Sequence, residues 1–245
     1  MISTRQGLIN QEETDTEMDR ISEALEMVFH SQTKKLSFQK TYHSVYRLCR
    51  QGLHQELADL ATKKITDHFR TVINEISASE KRIGQVVDKT ITNLMEISQR
   101  ILEIFLYLEA NHRQREGALS LRIVFNNVLF ETLTKRRDVM ERFVFEIAEL
   151  KISGELEKAK KLIGLVANVD ENETFISQSF LPVYIPRMKD FFRNSSEEKM
   201  EFYKHDLKSY LWWAIDMLEN EKDFMSSVVS RSRLEAKQEF DSVMN

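Results

Sequence analysis

The chain has 245 residues, 42% of them hydrophobic, enough for one large core or two smaller ones. Six glycines and two prolines are too few turn formers for a sheet protein of this length, so long helices are predicted. A net charge of −4 with both signs interspersed offers no general attraction to nucleic acid. The single cysteine excludes an internal disulfide and a Cys-based zinc site, and no apolar run approaches the eighteen or so residues of a membrane span.

The N-terminus, "MISTRQGLINQEETDTE", is polar and acidic and lacks the apolar core of a signal peptide. It predicts a flexible tail over residues 1–17 and a cytoplasmic or nuclear protein. The helical pattern starts near Met18, where Ile21, Ala24, Leu25 and Val28 share one face. "HSQTKK" interrupts it, and a second helix runs from the N-cap Ser37 to near Gly52.

That second helix carries two stripes. Phe38, Tyr42, Tyr46 and Cys49 fall within an arc of about 80°, and Thr41, Val45 and Leu48 occupy the adjacent arc. Gln39, Lys40, His43, Arg47 and Arg50 lie opposite. The combined apolar surface spans about 160°, where a helix resting on one core needs about 100°. Either two neighbours sandwich the helix, or its aromatic flank faces a partner.

A third helix is predicted from Leu53 to about Ile76, with Leu57, Leu60, Ala61, Ile65, Phe69, Val72 and Ile76 on its stripe. "SASEK" punctuates, and a fourth runs from about Arg82 to Asn111. The fifth runs from about Ala118 to Leu150, with a possible break at "TKRRD". On it, Leu121, Val124, Phe125, Val128 and Leu129 form a core arc. Leu119, Ile123 and Phe130 lie on the other side among Arg122, Asn126 and Asn127, a mixture typical of interfaces.

After "KISGE" the pieces shorten. Glu155 to Val166 is one helix. Thr174 to Arg193 is another, which Pro182 or Pro186 should kink or divide. "NSSEE" offers a capping box, Ser195 with Glu198, before a last long helix bearing Tyr210, Leu211, Ala214, Met217, Leu218 and Phe224. Trp212 and Trp213 point about 100° apart, so Trp213 is expected inside and Trp212 partly exposed.

Catalytic constellations are missing. There is no glycine-rich phosphate loop, no HExxH pattern and no serine elbow. Glu109 and His112 form one Glu-x-x-His pair, but a di-iron bundle needs two such pairs and two more glutamates, so a solvated helix end is the simpler reading. Cys49 has no positioned base and reads as a packed thiol. "TKRRD" and "HRQRE" are basic runs flanked by acids, which fit solvated helix ends. No enzyme, metal or cofactor is expected.

Four stretches together resemble the N-terminal region of the cullins, the scaffolds of cullin-RING ubiquitin ligases. "LSFQKTYHSVYRLC" is similar to the family's second helix. "YLEANHRQREGALSLRIVFNNVLFETL" is similar to the end of its fourth and the start of its fifth. "FFRNSS" and "YLWWAIDMLENEKDF" resemble motifs of its second repeat. The order and spacing also agree, over about Met18 to Asn245.

The resemblance implies an all-α, elongated stack of cullin-type five-helix repeats, one complete over residues 18–150 and one partial over residues 151–245. It further implies a non-catalytic scaffold whose second helix and one face of the fifth dock a substrate adaptor. The partner-binding residues carried over are Leu36, Phe38, Gln39, Tyr42 and Tyr46, joined by Leu119 and Ile123. A BTB-fold adaptor is favoured, although Gln39 stands where that class has an acid and Ile123 where an aromatic is common. The region that binds the RING subunit lies beyond this stretch of the family, so no RING partner is expected, and a truncated or competing form is one reading. A helical tethering scaffold unrelated to ubiquitin is the alternative. An adaptor site predicts exposed Phe38, Tyr42 and Tyr46, and a closed bundle predicts them buried.

Overall fold

The structure is a computed structural model that describes residues 11–113 and 117–229, apart from the side chains of His112, Arg113 and Val229. Among the described residues there are ten α-helices and no strand. They form two compact units, one of residues 11–75 and 90–132, the other of residues 76–89 and 133–229. None of the described helices is long and apolar enough to cross a membrane.

The first unit holds α1 (Gln11–Phe29), α2 (Phe38–Arg50), α3 (His54–Asn74), most of α4 (Ile83–Ile104), the single turn α5 (Leu106–Leu108) and most of α6 (Leu121–Lys135). The stripes read from the sequence build its core. Ile21 and Leu25 of α1, Leu57, Ile65 and Phe69 of α3, and Leu94 and Ile101 of α4 are fully buried. Helix α2 ends where Gly52 takes φ +89°, the left-handed position that suits glycine. Its N–H donates to Cys49 O at 3.1 Å, and Leu53 N–H donates to Leu48 O at 3.1 Å.

Three expectations change here. Residues 11–17 are already helical in α1, ahead of the expected start at Met18, and residues 1–10 lie outside the described residues. Glu17, expected in a loose tail, is buried because its carboxylate finds donors on α2, a pairing that periodicity cannot reveal. Helix α4 gives way at Phe105 to α5 and then to the wider π winding of Glu109–Arg113, so the expected single helix to Asn111 is re-wound over its last turns. Phe130, expected on the partner side of α6, is buried. Phe130 lies 100° round the helix from Leu129, so it widens the buried arc of Leu121, Phe125 and Leu129 on one side of α6.

The second unit holds α7 (Arg137–Ile152), α8 (Leu156–Ala167), a π turn at Phe175–Phe180, α9 (Leu181–Phe202) and α10 (Leu207–Val229). The break at "TKRRD" falls at Arg136, whose guanidinium donates to Ile76 O at 2.8 Å and grips both oxygens of Asp138. The expected repeat boundary after Leu150 lies within α7. The core contains Phe143, Phe175, Phe180, Tyr184 and Phe224, with the Phe180 and Tyr184 rings stacked 4.7 Å apart.

Neither proline divides α9. Pro182 sits in its first turn, where a missing N–H costs no helical bond, and Pro186 follows one turn on. The expected capping box at Ser195 is mid-helix, and Ser196 instead meets the Tyr210 hydroxyl at 2.7 Å. Asp206 is the cap of α10, accepting from the Ser209 hydroxyl at 2.6 Å and from Ser209 N–H at 3.1 Å, and those bonds hold its carboxyl below the usual range.

Candidate partner-binding surface

Helix α2 is oriented from below by a polar clasp. Thr41, Ser44, Val45, Leu48 and Cys49 are buried, which turns the adjacent flank of Phe38, Tyr42 and Tyr46 partly outward. Glu17 of α1 accepts from Arg47 at 3.0 Å, from Arg20 at 2.7 Å and from the Ser44 hydroxyl. A carboxylate with this many donors beneath α2 fixes the helix in rotation as well as in position. Cys49 lies in the core, where burial pushes its thiol up to about 12, so at neutral pH it is an inert packed group.

The outward flank is graded. Phe38 is 37% exposed, Gln39 is exposed, and Leu36, Tyr42 and Tyr46 are half-buried. The ladder therefore sits between the two alternatives, open at its N-terminal end and partly covered at its C-terminal end. The cover is α5. The Tyr107 ring meets Tyr46 edge-on, 4.8 Å away at 75°, and Arg50 reaches the Tyr46 hydroxyl at 3.4 Å. Beside Tyr107, Leu106 is 59% exposed. Next to Leu36, the C-terminal half of α1 and the start of α2 leave a shallow groove of about 160 Å³ lined by Arg20, Met27, Lys35, Leu36 and Lys40.

Leu119 and Ile123 belong to the start of α6 in the same unit. Leu119 is 58% exposed and Ile123 is half-buried. The helix start is well capped: the Ser120 hydroxyl accepts from Arg122 N–H at 3.2 Å, and Glu109 accepts from Leu121 N–H at 3.0 Å. Glu109 is thus a cap for the following helix, and its role needs no metal. Among the described residues no group of three or more His, Cys, Asp or Glu side chains could hold a metal ion.

What the structure brings together directly is the α2 ladder and the α5 turn. Leu106 and Tyr107 were not singled out from the sequence. The available signal was their adjacency: neighbours 100° apart on a helix cannot both enter one core.

The family model of the Cullin alpha solenoid domain matches residues 18–244. The chain belongs to the cullin family. No curated protein matches this cullin chain. Among solved structures, a chain from "Computational Design of Self-Assembling Cyclic Protein Homooligomers" is similar at 14% identity over 95% of this cullin and 91% of its own length. Its TM-score is 0.27, too low to support an argument about fold or assembly. The aromatic ladder, the α5 turn and the start of α6 therefore belong to a cullin-type scaffold.

Proposed function

We propose that this cullin chain is a non-catalytic scaffold module of a cullin-RING ubiquitin ligase and that it holds a substrate adaptor. The docking face comprises Leu36, Phe38, Gln39, Tyr42 and Tyr46 of the α2 region with Leu119 and Ile123 near the start of α6. One observation carries the reading: on a single helix, Val45 and Leu48 are fully buried while the adjacent aromatic arc remains accessible. Aromatic side chains held rigidly by a buried flank are the usual anchors of a protein interface, because they bury large area at little entropic cost.

A BTB-fold adaptor is the favoured partner. The apolar ladder suits a helical or loop element with its own apolar anchors, and the uncharged Gln39 asks for a hydrogen-bonding partner where an acid would ask for a cation. The reading of an unrelated tethering scaffold loses its ground with the family assignment. Titration of the intact chain against purified BTB-fold proteins and against other adaptor classes tests the proposal. Saturable binding to a BTB-fold protein that Phe38→Ala abolishes supports it. Binding unaffected by changes at Phe38, Tyr42 and Leu119 moves the interface elsewhere.

A further inference from the structure

The second unit carries an apolar stripe that its own core does not use. On α10, Leu207, Leu211, Ile215 and Leu218 are 70%, 50%, 46% and 49% exposed, and Trp212 beside them is 64% exposed. The four aliphatic residues are spaced 4-4-3 and share an arc of about 80° over about 16 Å of helix. Helix α10 turns the adjoining face to its own unit: Glu221, Phe224 and Val228 are buried there, Met225 is buried at its border with the stripe, and the Tyr210 and Trp213 rings lie 5.8 Å apart, tilted by 39°.

The charges along this stripe are arranged for self-recognition. Lys208 and Glu219 are exposed, on the same edge of the stripe as Trp212, and neither is in an ion pair among the described residues. They are eleven residues apart, equidistant from the midpoint between Trp213 and Ala214. When a helix meets its own copy antiparallel about a two-fold axis, like edges face each other and positions equidistant from the midpoint coincide. Lys208 then faces the second copy's Glu219, and Glu219 faces the second copy's Lys208. In the same register Trp212 covers the second copy's Ile215, and Leu207 approaches the second copy's Leu218. A parallel pairing sets this edge against the core-side edge and provides neither ion pair.

We propose that α10 is a homodimerisation surface, pairing antiparallel with a second copy of this chain through Leu207, Leu211, Trp212, Ile215 and Leu218, with two reciprocal Lys208–Glu219 ion pairs setting the register. The five side chains offer on the order of 600 Å² per copy, or about 1,200 Å² in total, the lower bound for stable interfaces. The dimer is therefore concentration-dependent.

Sedimentation equilibrium of the full 245-residue chain tests this, with circular dichroism as a check that each variant is folded. The wild type should dimerise. Lys208→Glu and Glu219→Lys should each raise the dimer dissociation constant about tenfold or more, because each single change turns both attractions into repulsions. The double variant, K208E with E219K, should return to near the wild-type value, because its pairs are merely inverted. Fluorescence of Trp212 in a Trp213→Phe background should shift to the blue with increasing concentration. A wild type that stays monomeric overturns the proposal, whether Trp212 is open to quencher or shielded by another part of its own chain. A dimer unaffected by the single charge changes overturns it equally.

Discussion

Tyr42→Ala and Tyr46→Ala, compared with Val45→Ala, separate binding from folding on one turn of helix. Val45 is fully buried, so its truncation removes about 1.6 kcal/mol of transfer free energy and adds a cavity term, for a loss of about 2–3 kcal/mol. Tyr42 is half-buried and its nearest ring is the adjacent His43 at 6.2 Å, so its loss should cost about 1 kcal/mol of stability. Tyr46 also meets Tyr107 and Arg50, and an aromatic pair adds about 0.5–1.5 kcal/mol, so its truncation should cost about 1–2 kcal/mol. At the centre of an adaptor interface the order reverses. Each tyrosine should cost 2 kcal/mol or more of binding, roughly a thirtyfold loss of affinity, and Val45→Ala should leave affinity nearly unchanged while the protein is folded. Urea denaturation gives the stabilities, and calorimetric titration against a BTB-fold adaptor gives the affinities. Tyr42→Ala is the cleaner probe because no inter-helix ring contact goes with it. If it stays folded and binds within about twofold of wild type, the ladder is not the anchor.

Three further outcomes follow from buried polar groups. Glu17→Ala should lower stability by about 1–3 kcal/mol in urea melts, because three donors lose a charged acceptor, Ser44 falls back on the Lys40 carbonyl, and the partly exposed Arg20 and Arg47 rehydrate. Glu221→Ala should cost more, about 3–5 kcal/mol, because it strands the nearly buried Lys151 and the Tyr184 hydroxyl; replacing all three polar groups, Lys151→Met, Tyr184→Phe and Glu221→Leu, should recover most of the loss. His68 stacks on Phe29 at 4.3 Å with its Nε2 buried and unpartnered. Burial, and then the charge of His30, hold its pKa below the usual value, against the opposing pull of Glu26 and Glu75. Its neutral form is the folded one, so its contribution is complete above the unfolded imidazole's pKa and is lost as pH falls through the lowered folded pKa. Thermal melts between about pH 7 and pH 5 should fall more steeply for wild type than for His68→Phe, and parallel curves would refute this.

The fold was legible wherever apolar residues recur at helical spacing. The stripe of α1 stands in the core as read, that of α3 does so except at the half-buried Leu60 and Val72, and the interruption at "TKRRD" falls where charge clusters. The failures share one physical cause: polar residues whose partners lie far away in sequence. Glu17 belongs to a polar segment and looks solvated until Ser44 and Arg47 are placed above it. Ser195 and Glu198 have the spacing of a capping box, yet the chain stays helical through them, because Ser196 is engaged by Tyr210 and the stop comes at Tyr203–Asp206. Trp213 is half-buried rather than enclosed, although it is the more sheltered of the two indoles, as its spacing from Tyr210 implies. The candidate site was half legible. The graded exposure of α2 follows from its two stripes, but the cover that α5 gives Tyr46 depends on the re-winding at Phe105, which no local propensity announces.

Glu17 and Glu221 play parallel parts in the two units, and this bears on how a scaffold does its work. Each is a buried carboxylate that ties a helix bearing an accessible apolar face to its neighbours: α2 to α1 in the first unit, α10 to α7 and α9 in the second. An apolar contact alone tolerates sliding and rotation, because dispersion and area burial have little directionality. A buried carboxylate with two or more donors does not, since a shift of about an ångström leaves an ion unpaired away from water. A helix with an accessible apolar flank is otherwise free to roll that flank into its own core and close the site. The buried ions oppose that roll at small net gain in stability. They are therefore expected to matter more for where the faces of α2 and α10 point than for whether the chain folds. The Lys151→Met, Tyr184→Phe, Glu221→Leu chain puts this to the test: it should melt near the wild type and yet show greater quencher access or broadened signals at Trp212 and Trp213 on a loosened α10. A chain equally stable and equally ordered would show that packing alone sets the orientation.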